Sequence, residues 1–298
     1  MAKIVECVPN ISEGRDKNAI KAVADEVRNT KNVTLLDLSS DESHNRSVIT
    51  FIGSPEAVLE ASVKLAKKAS ELIDMTKHKG EHPRMGAVDV VPFIPIKEMT
   101  MDECVALSKK AAERIWEEVK IPVFLYEKSA SGAHRVNLAD IRRGQFEGMP
   151  EKLLQDEWAP DFGERKIHPT AGVVAVGARM PLVAFNINLE TSDVEIASKI
   201  AKTIRFSSGG FPCVKSIGVK LEDKNMAQVS INMTDFTTTP LYKVFETVKE
   251  EAERYGTKVV ESEIIGLSPM MALIDCAKYY MNLSEFDEKK QVIENYLI

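Results

Sequence analysis

Long apolar runs, paired cysteines, a phosphate-binding glycine loop and an excess of basic charge are all missing from this sequence. The longest apolar stretches, such as residues 88–96, fall far short of the roughly 20 residues a membrane-spanning helix requires, so no membrane partner is expected. Cysteine is scarce: Cys7, Cys104, Cys213 and Cys276 lie far apart, with no Cys-x-x-Cys pair. Such scattered thiols make neither a disulfide framework nor a zinc ribbon, and they fit a reducing compartment. No G-x-x-x-x-G-K-[ST] pattern occurs, which removes the phosphate loop of nucleotide hydrolases. Thirty-nine Lys and Arg against 45 Asp and Glu give a net charge of −6. Binding nucleic acid through bulk positive charge is thereby excluded. Residues 3–9 read as a strand, and no basic stub or apolar core of a secretion signal precedes them. A cytoplasmic location is the expectation.

What remains is an ordinary globular composition, 44% hydrophobic and 28% charged over 298 residues, long enough for one large domain or two smaller ones. Apolar periodicity predicts helices over 16–30, 57–73, 101–119, 192–206, 241–255 and 271–281. Strands are expected over 3–9, 33–38, 47–52, 88–96, 123–126, 182–189, 217–221, 227–233 and 258–265. Pro92 and Pro95 mark 88–96 as an edge or irregular strand. The order strand–helix–strand–strand–helix–strand occurs from residue 3 and again from residue 182. The expected fold is therefore α/β (α+β), two ferredoxin-like βαββαβ halves divided as 1–180 and 181–298. Residues 145–180 connect them, entering an apolar strand at 173–177.

Four segments concentrate reactive groups. Lys77-His78-Lys79-Gly80-Glu81-His82-Pro83-Arg84-Met85-Gly86 places three cations, two imidazoles and a carboxylate between a helix and a strand. Loops at strand ends are where a rigid scaffold aims reactive groups. Cations beside His82 disfavour its charged form while Glu81 favours it, so the sign of any shift stays open at this level. Within this segment His78-Lys79-Gly80-Glu81-His82 matches the H-x-x-E-H zinc pattern. That pattern needs a helix, which Gly80 and Pro83 oppose, so no metal is expected; a zinc hydrolase using His78 and His82 is the lesser alternative. Ser43-His44-Asn45-Arg46-Ser47 offers Arg46 for a bidentate carboxylate and Asn45 as donor and acceptor, although an ordinary turn needs no more than this. In Val8-Pro9-Asn10-Ile11-Ser12-Glu13-Gly14-Arg15 a strand leads into a helix, where N-terminal amides favour an anion, although helix capping accounts for Ser12. The fourth is the irregular stretch 160–172, which serves equally well as a groove wall or as a linker.

Taken together, Val5-Glu6-Cys7-Val8-Pro9-Asn10-Ile11-Ser12-Glu13-Gly14-Arg15, Asn45-Arg46-Ser47, Gly80-Glu81-His82-Pro83-Arg84-Met85-Gly86-Ala87 and Ala184-Phe185-Asn186-Ile187-Asn188-Leu189 resemble the glutamate formiminotransferase family over nearly the whole chain. The resemblance implies transfer of the formimino group of N-formimino-L-glutamate to N5 of tetrahydrofolate, in histidine degradation. It implies two α/β subdomains with a ligand groove between them, and a homodimer. By the same likeness His82 is the catalytic histidine. The folate stretch falls on Gly163-Glu164-Arg165-Lys166-Ile167-His168-Pro169-Thr170-Ala171-Gly172. At Thr170-Ala171 this sequence departs from the Ser-Trp of animal members. A chain reaching Ile298 looks like the stand-alone form, with the cyclodeaminase of animal members encoded separately. Substrate carboxylates then need partners, for which Asn10, Asn45, Arg46, Lys79, Arg84 and Arg165 are candidates. Tetrahydrofolate is the co-substrate, and formyl transfer from N-formylglutamate is the nearest alternative reaction.

Overall fold

A computed structural model describes residues 2–293, over which the apolar periodicities resolve into eleven strands and nine α-helices. The chain forms two units, Met1–Arg179 and Met180–Ile298. In the first, β1 (Ile4–Cys7) and β2 (Asn10–Ile11) make one line broken at Val8-Pro9. Then come α1 (Lys17–Arg28), β3 (Val33–Asp41), β4 (Arg46–Gly53), α2 (Pro55–Leu72), β5 (Val88–Lys97), α3 (Met101–Val119) and β6 (Val123–Glu127). Helices α4 (Leu138–Arg142) and α5 (Gln145–Lys152) precede β7 (Val174–Ala178).

Strands β3, β4, the β1/β2 line and β5 lie side by side and antiparallel, the ferredoxin-like order. The sheet then continues in parallel as β5–β7–β6. The first unit is thus a ferredoxin-like motif extended by two strands, one of them inside the stretch expected as a connection. Alternate residues of this extension enter different cores. Val174, Val176, Val123 and Leu125 pack with α2 and α3, while Val173, Ala175, Phe124 and Tyr126 pack with Ile141 and Met149. Parallel strands covered on both faces read as continuous apolar runs, which is why Val88–Ile94 is buried without interruption.

The prolines of β5 do not place it at an edge. It is central, with β1 and β2 on one side and β7 on the other. Pro92 lies opposite the gap between β1 and β2, where its carbonyl accepts from Val8 N–H at 3.4 Å and no ladder N–H is demanded of it. Pro95 faces Val5, where the pairing register shifts. The irregularity expected from the prolines is real, and the partner strand absorbs it. Ser12 also differs from expectation: Asp16 caps α1, its carboxylate accepting from Asn18 and Ala19 N–H. The buried face of α1 is Ala19, Ile20, Val23, Ala24 and Val27, the three-and-four spacing of one helical stripe.

The second unit runs β8 (Val183–Leu189), α6 (Val194–Ile204), β9 (Val214–Leu221), β10 (Met226–Met233), α7 (Leu241–Arg254), β11 (Val259–Ile265), α8 (Met270–Tyr280) and α9 (Glu288–Gln291). Its sheet, β11–β8–β10–β9, is wholly antiparallel and again ferredoxin-like. Ile187, Leu189, Ile200, Val229, Val244 and Val248 form a core of its own. Both halves are therefore α+β units of the expected kind. No helix among the described residues is long and apolar enough to cross a membrane.

Candidate active site

Sheet register brings three of the polar segments together. Ile11 pairs with Ser47 on one side and with Val88 on the other, so the end of β2, the start of β4 and the start of β5 coincide. Side chains then stitch the loops beyond those ends. Ser12 Oγ donates to the Gly86 carbonyl at 2.7 Å, and Ser12 N–H donates to Ala87 O at 2.9 Å. Asn45 is left-handed (φ 48°) and buried. Its Oδ1 accepts from Gly14 N–H at 2.8 Å and its Nδ2 donates to Lys79 O at 3.0 Å. Close approach explains two glycines. A Cβ on Gly80 would stand 2.4 Å from His44 O, and one on Gly86 would stand 2.0 Å from Val173 O.

Residues 78–82 form no helix, and the two imidazoles have different neighbours. His78 Nε2 lies 3.0 Å from Asn45 O, and its Nδ1 accepts from Arg84 Nε at 3.2 Å. Burial, above all, holds His78 below its usual pKa. His82 is half-buried, with the His44 ring 6.4 Å away between centroids. Burial first, then the charges of Arg46, Arg142 and His44, push its imidazole down to about 3. The sign left open by the sequence is thus decided for the neutral imidazole, by burial before the cations. His44 in turn sits with Nδ1 3.0 Å from Asp41 Oδ1. Asp41 is held below the usual carboxylate range, first by His44 N–H.

The basic residues divide into engaged and open. Arg84 is buried, its fork bidentate on Glu147 at 2.6 and 2.9 Å, with Gln145 Oε1 2.8 Å from Nη1. Arg46 makes no side-chain hydrogen bond or ion pair among the described residues, and burial leads the causes that lower its pKa. Lys79 is exposed, and Asn10 is half-buried with Nδ2 on Val8 O at 3.2 Å.

Residues 163–172 are tied to the histidine segment through backbone. Ala87 N–H donates to Ala171 O at 2.9 Å, Val173 N–H to Met85 O at 3.1 Å and Met75 N–H to Thr170 O at 2.8 Å. His168 Nδ1 accepts from Ala171 N–H at 3.0 Å, closing the turn from inside. Arg165 pairs with Asp156 at 2.6 Å, while Glu164 and Lys166 are exposed. Ile167 packs against the core, and Gly163 at φ 114° lies against Trp116. All the residues proposed from sequence lie in the first unit.

Three participants escaped the sequence reading. Arg142 and Asp89 form a buried ion pair, and Asp89 Oδ1 also accepts from Met85 N–H at 2.9 Å. A lone acid within an apolar run needs a partner, so Asp89 carried a signal. Arg142, on the five-residue helix α4 between β6 and β7, carried none. His44 lay inside a noted cluster but had no role without its neighbour His82. Cys7 and Cys104 are buried, which raises Cys7 well above its usual range and pushes Cys104 up to about 12, so neither is an activated nucleophile.

Comparison with known proteins matches residues 4–179 to the N-terminal subdomain of the formiminotransferase domain and residues 184–296 to the formiminotransferase domain. The chain is 60% identical to a glutamate formimidoyltransferase of Streptococcus pyogenes, with all of both chains covered. It is 46% identical to one of Thermoplasma acidophilum, over 96% of this chain and 94% of the other. A formimidoyltransferase-cyclodeaminase of Rattus norvegicus is 46% identical over 94% of this chain, which spans 53% of that protein.

Proposed function

This chain belongs to the formiminotransferase family, and on that premise we propose which residues carry its reaction. The enzyme transfers the formimino group of N-formimino-L-glutamate to N5 of tetrahydrofolate, releasing L-glutamate, in histidine degradation. Chemically this is addition–elimination at an amidine carbon. N5 attacks the carbon and loses its proton; the tetrahedral intermediate collapses as glutamate's nitrogen leaves and gains one. A single imidazole serves both transfers, taking the N5 proton as base and returning it to the leaving nitrogen as acid.

His82 is that imidazole. The observation supporting this is its environment: half-buried with the His44 ring 6.4 Å away, on a segment tied by backbone bonds to residues 163–172, its imidazole is held in the neutral form a proton acceptor needs. Holding two substrates in one site supplies much of the remaining acceleration. Residues 163–172 receive the folate, a reading supported by their backbone ties to the strand that follows His82. We also infer a cytoplasmic homodimer that works with a separately encoded cyclodeaminase. The test is purified protein with tetrahydrofolate and formiminoglutamate, following glutamate release, beside a parallel reaction with N-formylglutamate. Release from the formimino donor alone is expected; release from the formyl donor alone would replace the reaction.

A further inference from the structure

Two cations near His82 have unspent hydrogen-bonding capacity. Arg46 makes no side-chain hydrogen bond or ion pair among the described residues, although the charges of Asp41 and Asp89 act on it. Arg142 gives Nη2 to Asp89, yet its Nε is buried with nothing to donate to. A buried donor without an acceptor costs stability, and such a cost is retained where a ligand meets it. Sheet register brings Arg46, at the start of β4, to the start of β5, and Asp89 ties Arg142 to Met85, three residues after His82, so both cations share one neighbourhood with the reacting group. The other candidates are committed elsewhere or face solvent: Arg84 to Glu147, Arg165 to Asp156, Lys79 outward.

Resting on the formimino-transfer reading, we infer that Arg142, with Arg46, grips the α-carboxylate of formiminoglutamate. The choice of carboxylate follows from bonding. The formimino nitrogen sits on Cα, so the α-carboxylate carbon is two bonds from the nitrogen that leaves, while the side-chain carboxylate carbon is four bonds from it. Cations that crowd the proton-transferring imidazole therefore meet the α-carboxylate. Asp89 positions the clamp: its two oxygens hold Arg142 and Met85 N–H, locking the guanidinium to the segment that carries His82. Docking a carboxylate also offsets the two positive charges that disfavour the imidazolium, so the base strengthens as the donor arrives.

The experiment compares formiminoglutamate with 4-(formimidoylamino)butanoate, the same donor without its α-carboxylate, at saturating tetrahydrofolate. The wild-type enzyme should favour formiminoglutamate strongly in kcat/KM. Arg142→Gln and Arg46→Gln should each lower kcat/KM for formiminoglutamate about 10- to 100-fold, the usual loss for a hydrogen bond to a charged group. Both variants should shrink the preference over the butanoate and leave KM for tetrahydrofolate within about twofold. A merely structural role for Arg142 would depress both donors equally and leave the preference intact, which overturns the inference. Arg46→Gln breaks no side-chain hydrogen bond or ion pair among the described residues, so it carries the test if Arg142→Gln does not fold. A wild type that releases glutamate but does not distinguish the donors overturns the clamp alone. A wild type that releases none overturns the formimino-transfer reading beneath it.

Discussion

Proton transfer at His82 depends on a neutral imidazole, and its surroundings provide one by burial and by the charges of Arg46, Arg142 and His44. His82→Asn keeps a polar side chain of similar size without a titrating nitrogen. It should lower kcat about 10²–10⁴-fold while moving either KM far less, because proton transfer belongs to the transition state. Steady-state kinetics with both substrates check this. With the imidazole down at about 3, the kcat/KM profile of the free enzyme should show no His82 inflection between about pH 5 and 8. The same shift bears on stability. The unfolded imidazole binds a proton at its ordinary value while the folded one does not, so stability is full above that value and falls with pH toward 3. Thermal melts from pH 7 to 4 should therefore decline more steeply for the wild type than for His82→Asn. Arg84 is a different kind of residue: its fork is filled by Glu147 and Gln145. Arg84→Ala should cost about 1–3 kcal/mol of stability by leaving those contacts unmade, seen as a lower Tm, with a smaller effect on KM than Arg46→Gln.

Strand ends and the glycine contacts between them fix the loops of the site. Gly86 has Val173 O where a Cβ would be, and Gly172 pairs with it across an isolated bridge. Gly86→Ala must push β5 and the 163–172 segment apart. It should destabilise by about 3 kcal/mol, the upper range for overpacking, and lower Tm by roughly 6–12 °C in differential scanning calorimetry. The 163–172 segment is held mainly by backbone bonds and one internal His168 contact, while Glu164, Arg165 and Lys166 face solvent. Tetrahydrofolate should slow amide hydrogen exchange across it, more than formiminoglutamate alone does. Equal exchange with and without folate would remove the segment from the folate site. Arg165→Ala, which breaks only the exposed pair with Asp156, should leave Tm nearly unchanged.

At the scale of the whole molecule, the two ferredoxin-like sheets have separate cores, one on each face of the extended first sheet and one in the second unit. A fragment of residues 180–298 carries its complete four-stranded sheet and the Ile187–Val229–Val244 core. It should fold by itself, with a cooperative thermal transition in far-UV circular dichroism, yet transfer nothing, because every proposed catalytic and folate residue lies in the first unit. A fragment without a transition would mean that its core depends on the first unit.

Sequence alone determined the long helices and most strands, though not the short helices α4 and α5, because apolar spacing at periods of 3.6 and 2 is a local property that needs several turns to show. It also pointed to His82 and to 163–172, through residues contiguous in the chain. Only the tertiary structure decided the rest. The central place of β5 depends on where its prolines meet a gap in β1/β2, which no local pattern records. Ser12 turned out to bond to Gly86 across 74 residues of sequence rather than to cap a helix. The sign of the His82 shift required the burial of the imidazole and the charges of Arg46 and Arg142, 36 residues before and 60 after it. Burial and Coulomb interactions depend on distances in space, and the sheet register alone brings those distant residues to one place.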